Sequence, residues 1–213
     1  MIASPGRPDD GAAMLRTCAA AATVDGAVCA FLEPIALYHT RDLHSEGDGG
    51  WTAAYPDPED WAGHHVPIGQ ARTYGDGADL TLVTWANGLY MSLRVAARLE
   101  RAGIGCRVVD LRWLAPLPVD DVLREAEATG RVLVVDETRR CGGVSEGVLA
   151  ALVDAGFGGR MARVTSEDSF IPLGDAALHV LVSEADIEDA ALRLVRGVGH
   201  PPRSSAVRSW SIR

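Results

Sequence analysis

The apolar positions of this chain change their period along its length. From about residue 67 onward, short apolar runs alternate with stretches whose apolar residues recur at helical spacing. Ile68–Tyr74 and Leu80–Trp85 read as strands, and Gly75-Asp76-Gly77 between them makes a hairpin the natural pairing. A helix near Leu89–Ala102 stops at Gly103, and Cys106–Leu111 follows as a strand. Val119, Val122, Leu123 and Ala126 share one helical face, which Gly130 ends. Arg131–Asp136 is a strand built on the apolar run Val132–Val135, a glycine pair opens a helix near Val144–Asp154, and Ala162–Thr165 is a last short strand. Ser183 and Asp186 form a capping box for a final helix with Ile187, Ala190, Ala191 and Leu194 on its inner face. Strands alternating with helices of about 10–15 residues imply right-handed βαβ units and a sheet covered on both faces. The pattern predicts an α/β fold: a three-layer α/β/α domain over residues 67–196, with a five-stranded, mostly parallel sheet and one antiparallel edge strand.

The rest of the chain has a different character. Met1–Gly11 is rich in proline and glycine and reads as irregular, Ala12–Ala22 as helix, and Ala27–Glu33 as a short buried strand closed by Pro34. One helix and one strand bury no core by themselves. Residues 1–43 are therefore expected to be the end of a domain whose beginning is missing. Residues 44–66 collect glycine, aspartate and proline around Trp51, Tyr55 and Trp61, and are expected to form an ordered crossing segment. Residues 197–213 combine glycine, proline, four serines and three arginines with no acid, and are expected to be disordered.

Composition narrows the chemistry. The net charge is −9, from 20 basic and 29 acidic residues, which disfavours non-specific nucleic-acid binding. Every basic residue is arginine. Without lysine there is no Schiff base and no P-loop lysine. Cys18, Cys29, Cys106 and Cys141 form no C-x-x-C pair, and Cys29 and Cys106 are expected to be buried, inert thiols. The chain carries no leader-like segment and no apolar run of about 18 residues, so the expectation is a reduced, cytoplasmic protein without membrane contact.

Several motifs could carry chemistry. Gly47-Asp48-Gly49 and Gly75-Asp76-Gly77 resemble the start of a Mg²⁺-diphosphate motif. The single asparagine, Asn87, lies thirty-eight residues after Gly49 and ten after Gly77, and neither spacing fits. Turn formation explains both. Asp136-Glu137 ends a predicted parallel strand, where ligands gather. Adjacent strand residues point to opposite faces, so capping or pairing with Arg112, Arg139 or Arg140 is the favoured role. Arg139-Arg140-Cys141-Gly142-Gly143 precedes a helix. Arg139, Arg140, Gly142 and Gly143 are the candidate anion-binding or interface loop, with a tight strand-to-helix turn as the default. No histidine pair has helical metal-binding spacing and no G-x-S-x-G occurs, so no catalytic or metal-ligating residue is assigned.

An ordered series of segments resembles a known family. Phe31-Leu32-Glu33-Pro34 with Leu37-Tyr38, Val66–Ala71, Asp110-Leu111-Arg112 with Leu114 and Pro116-Leu117, Val134–Glu137 with Gly142-Gly143, and Ile171-Pro172 before a final helix follow in order from Phe31 to Val195, about 160 residues. Together they are similar to the C-terminal part of beta subunits of thiamine-diphosphate-dependent 2-oxo acid dehydrogenases (E1 components), with the transketolase C-terminal fold. The resemblance implies that residues 1–43 are a remnant of the pyrimidine-binding domain. It also implies that the full enzyme uses thiamine diphosphate and Mg²⁺, with none bound by this chain alone, because the family's activating glutamate and active-site histidine lie upstream of any segment seen here. The implied partners are an E1 alpha subunit or the missing N-terminal segment, and the docking domain of a lipoyl acyltransferase (E2), in a homo- or hetero-oligomer. The alternatives are a stand-alone, non-catalytic binding module and a fragment of a transketolase or deoxyxylulose phosphate synthase.

Overall fold

The computed structural model describes residues 1–197; the tail expected to be disordered lies, from residue 198 on, outside the described residues. The central sheet contains β3 (Arg72–Tyr74), β4 (Leu80–Thr84), β5 (Cys106–Asp110), β7 (Arg131–Arg139) and β8 (Arg160–Ser166) in the order β3-β5-β4-β7-β8. The last four are parallel, and β3 runs antiparallel at one edge. On one face lie α2 (Asn87–Arg101) and α5 (Glu184–Arg196), and on the other α3 (Val119–Thr129) and α4 (Val144–Asp154). The three-layer α/β/α architecture is as the alternation predicts.

Strand periodicity sorts the core into two halves. Leu133 and Val135 of β7 face the α2/α5 layer, whereas Val132 and Val134 face α3/α4; Val108 and Val109 of β5 divide in the same way. All five residues of β4 are buried, as a central strand covered on both faces requires. Its one hydroxyl toward α3, on Thr81, is satisfied by Glu125 O at 2.7 Å and Thr129 Oγ1 at 2.8 Å. Ser183 and Asp186 form the predicted capping box of α5.

The hairpin expectation is wrong. β3 pairs with β5, placing Arg72 opposite Asp110, and β5 separates it from β4. The Gly75–Gly77 turn does not fold β3 back on β4; it carries the chain across the start of β5. A Cβ on Gly77 would sit 2.2 Å from Cys106 N, so only glycine allows this crossing.

The N-terminal region also departs from its reading. β1 (Ile2–Ala3) lies between β2 (Ala30–Phe31) and β6 (Trp113–Ala115) in a second, three-stranded sheet. α1 spans Pro8–Val24, longer than expected. Ala27–Glu33 is not a buried strand: only Ala30–Phe31 pairs, and Leu32 is half-exposed. Cys18, not Cys29, is the buried thiol of this region; Cys106 is partly buried, and burial pushes its thiol up to about 12. A small core of Ala3, Ala13, Met14, Cys18 and Val66 closes around Trp113, which arrives from beyond β5. The segment between the two sheets is pinned by Trp51, 1% exposed, edge-on to Tyr90 at 5.0 Å.

Trp113 is fully buried and its Nε1 has no hydrogen-bond partner. Trp113→Ala is expected to cost about 3–5 kcal/mol, the usual range for emptying a large aromatic site. Trp113→Phe should cost clearly less, because it loses no hydrogen bond. Urea denaturation of both variants checks the order; equal losses would contradict the packing described.

Candidate functional site

The parallel strands set the place where a site is expected. β4 comes first; β5 joins one side of it and β7 the other, so the topological switch lies between β4 and β7, outside their carboxyl ends. The β4–α2 connection there holds Ala86 at φ 49°, ψ −129°, a conformation costly for a residue with a Cβ. Packing enforces it: Gly88 must approach Thr84 so closely that a Cβ would lie 2.2 Å from its Oγ1. The tight start of α2 points the Asn87 amide at β7, where Nδ2 donates to Glu137 Oε1 at 2.6 Å. Burial raises the Glu137 carboxyl above its ordinary range, with Asn87 opposing and Asp136 adding to the rise.

Asp136 points the other way, as strand alternation requires. Its Oδ1 accepts from the N–H and the hydroxyl of Thr138, and its Oδ2 accepts from Ser145 N at 2.9 Å in the first turn of α4. The residue therefore ties the β7–α4 loop to its helix; it forms no ion pair with Arg112, Arg139 or Arg140. Gly143 is obligatory, since a Cβ would lie 2.6 Å from Asp136 Oδ2.

The candidate loop residues are brought to this rim, and much of the loop's donor capacity is used internally. Cys141 N and Sγ donate to Asp168, Gly142 N donates to Glu146 at 3.2 Å, and Arg163 holds Arg140 O at 2.9 Å. The hydrogen bond to Asp168 raises the Cys141 thiol, keeping it protonated. Arg139 is exposed and Arg140 half-buried. In the linker, Asp48 accepts from the amides of Leu43, His44, Ser45 and Gly50, which hold its carboxyl far below the usual range. Gly47-Asp48-Gly49 is thus a turn built on its own backbone. Among the described residues, no group of three or more His, Cys, Asp or Glu is arranged to hold a metal.

A second cluster lies at the carboxyl end of β5. Arg112, at φ 58°, turns its guanidinium inward, where Nη1 meets Asp10 Oδ1 at 3.0 Å. Its Nε and Nη2 donate to the carbonyls of Gln70 and Ala71. Arg72 Nη1 reaches Asp10 Oδ2 at 3.0 Å and Asp9 Oδ2 at 2.8 Å. Asp110, fully buried beside them, accepts only from Arg112 N at 3.2 Å. Burial, with Asp10 close by, pushes its carboxyl up to about 8 against the pull of the two arginines.

The family model described as transketolase, C-terminal domain, matches residues 69–186, which include β3 to β8. The chain belongs to the transketolase C-terminal domain family. It is 30% identical over 168 residues to a protein named pyruvate dehydrogenase E1 component subunit beta from Bacillus subtilis (strain 168), covering 78% of this chain and 47% of that protein. It is 32% identical over 149 residues to one named acetoin:2,6-dichlorophenolindophenol oxidoreductase subunit beta from Cupriavidus necator, covering 63% and 41%. The chain thus spans about half the length of the curated relatives it matches. A solved structure titled split gene transketolase, inactive beta4 tetramer, superposes with a TM-score of 0.67 at 22% identity, over 92% of this chain and 57% of that one, a likeness of fold.

In this transketolase C-terminal domain, the sequence reading found the Asp110-Leu111-Arg112 segment but missed its partner, Asp10. A signal was present: Pro8 followed by Asp9 and Asp10 is a helix start, with proline at the first position and acids in the first turn. Asp110 supplies a pH test. Its carboxyl ionises near 3.8 when unperturbed and near 8 here, so folding takes up a proton between those values. Its contribution to stability is fully present below the lower value and is lost as pH rises through the higher one. Relative to wild type, Asp110→Asn should gain stability with rising pH, at up to about 1.4 kcal/mol per unit. Urea unfolding of both proteins at about pH 5, 7 and 9 reads this difference; parallel profiles would refute it.

Proposed function

We propose that this chain is the C-terminal portion of the beta subunit of a 2-oxo acid dehydrogenase E1 component, and that it serves assembly. The observation that carries the reading is the 30% identity spread over 168 residues but confined to 47% of a pyruvate dehydrogenase E1 beta subunit. On this reading residues 1–43 close a pyrimidine-binding domain, 44–66 cross over, and 67–196 form the C-terminal domain. Val24, Val28 and Ile35 are each more than three-quarters exposed, and β2 ends its small sheet. Such apolar surface beside an open edge suits a partner, either an alpha subunit or further beta-subunit structure. Named relatives at 30–32% identity favour the dehydrogenase branch over transketolase, whose split-gene member is 22% identical.

The complete enzyme, in the cytoplasm, would decarboxylate a 2-oxo acid on thiamine diphosphate held with Mg²⁺ and pass the acyl group to a lipoyl acyltransferase. The residues of this chain that mimic the Mg²⁺-diphosphate motif do not fit that group. Asp48 spends its carboxylate on four backbone amides and Asn87 spends its amide on Glu137. What this chain contributes is surface: a dimer contact and, with its net charge of −9, attraction for a basic docking domain of the acyltransferase.

Two measurements test the reading. Calorimetric titration of the 213-residue chain with thiamine diphosphate and Mg²⁺ should show no micromolar binding; a micromolar Kd would sink the scaffold role. The isolated docking domain of a lipoyl acyltransferase should bind at low salt and dissociate at an ionic strength of about 0.5 M. No binding at low salt would remove the docking role.

A further inference from the structure

β8 ends the five-stranded sheet, so one side of its backbone has no strand partner among the described residues. A cleft of about 590 Å³ lies along that edge, lined by residues 160–163 of β8, by Leu149 of α4 and by Ala190 and Leu194 of α5. Consecutive strand residues point to opposite faces. A cleft that touches four in a row, and a helix from each outer layer, therefore opens on the edge itself. A second cleft, of about 410 Å³, continues along residues 163–166. The open edge thus runs the seven residues of β8, roughly 23 Å at 3.3 Å per residue.

Every charged residue lining the first cleft is an arginine: Arg140, Arg160, Arg163 and Arg193. This is a basic stretch along residues 160–163, on a chain whose net charge is −9; the cleft along 163–166 also has Glu167, Asp186 and Asp189 in its lining. Arg163 is engaged by Arg140 O and Glu146, and Arg193 by Asp189. The guanidinium groups of Arg140 and Arg160 make no hydrogen bond or ion pair among the described residues; that of Arg160 lies beside Gly197, at the C-terminal end of α5.

We propose that this edge is a docking groove for an extended acidic segment of another protein, which adds as a sixth strand beside β8 and sets its carboxylates against Arg140 and Arg160. Unpaired backbone groups supply hydrogen bonds, the apolar residues of α4 and α5 receive alternate side chains, and the arginines select charge. Charge also decides against a second copy of this chain. A two-fold pairing of β8 with itself would bring the same arginines face to face. The groove is independent of the beta-subunit reading, whose docking partner is basic.

The probe is a fluorescein-labelled peptide of about eight alternating glutamate and valine residues, added to the full chain and followed by anisotropy. Its controls are a lysine–valine peptide and a glutamate–valine peptide interrupted by two prolines. The uninterrupted acidic peptide should bind saturably, about tenfold or more tighter than either control. Arg140→Glu with Arg160→Glu should lose a similar factor, and hydrogen exchange at the β8 amides of the wild type should slow when the peptide is bound. Equal binding of the proline peptide would mean plain anion attraction and overturn the strand model. Equal binding of the lysine peptide, or self-association of the chain that the acidic peptide disrupts, would overturn the choice of partner. If the double variant does not fold, the wild-type exchange decides: unchanged β8 amides at saturating peptide refute the proposal.

Discussion

A guanidinium taken out of water needs acceptors for its nitrogens, and those of Arg112 find them in two separate parts of the chain. Asp10 in the first turn of α1 neutralises it, and the carbonyls of Gln70 and Ala71, just before β3, accept from its Nε and Nη2. Ser4 N donates to Arg112 O at 2.7 Å, which sets β1 beside the same turn. The left-handed backbone of Arg112 makes this possible by turning the chain sharply between β5 and β6. Removing one partner from such a buried pair leaves a stranded charge, typically at about 3–5 kcal/mol. The small N-terminal sheet, its helix and the large domain are therefore one interlocked unit, with Trp113 packed directly beyond the ion pair in sequence and filling the core between them.

Carboxylates at the strand ends explain why the rim reads as architecture before chemistry. In an open parallel sheet this is where catalytic acids gather. Here Asp136 anchors the β7–α4 loop, Glu137 holds Asn87, and Asp110 sits beside the Asp10–Arg112 pair. Asp136 and Glu137 are committed to backbone amides and an amide side chain, whereas Asp110 keeps one oxygen, Oδ2, buried without a hydrogen-bond partner among the described residues. The contacts of Asp136 and Glu137 tie the loops at the rim to the strands and helices that flank them.

The open edge of β8 and the tied edge at β3 show two treatments of the same problem. β3 is short, runs antiparallel, and carries Arg72 into the ion-pair cluster, so its side of the sheet is tied to α1. β8 has seven residues and no proline, and arginine is its only charged residue type. Those charges discourage pairing with its own copy while leaving an acidic strand acceptable.

Periodicity by itself determined the five strands of the large sheet, the helices α2 to α5, the layered class and the capping box of α5, because each is written locally in side-chain spacing and cap chemistry; the short strand β6 it did not record. It also placed Asp136 and Glu137 on opposite faces. Only the tertiary structure decided that β3 pairs with β5, that Trp113 leaves the large domain to complete the small core, and that Arg112 finds Asp10 across about a hundred residues of chain. The glycine-rich turn after β3 is locally compatible with a hairpin. In the fold both edges of β4 are taken, by β5 and β7, and β3 lies on the outer edge of β5, where Arg72 meets Asp10. Such a choice depends on which distant groups must be desolvated together, and no local pattern records it.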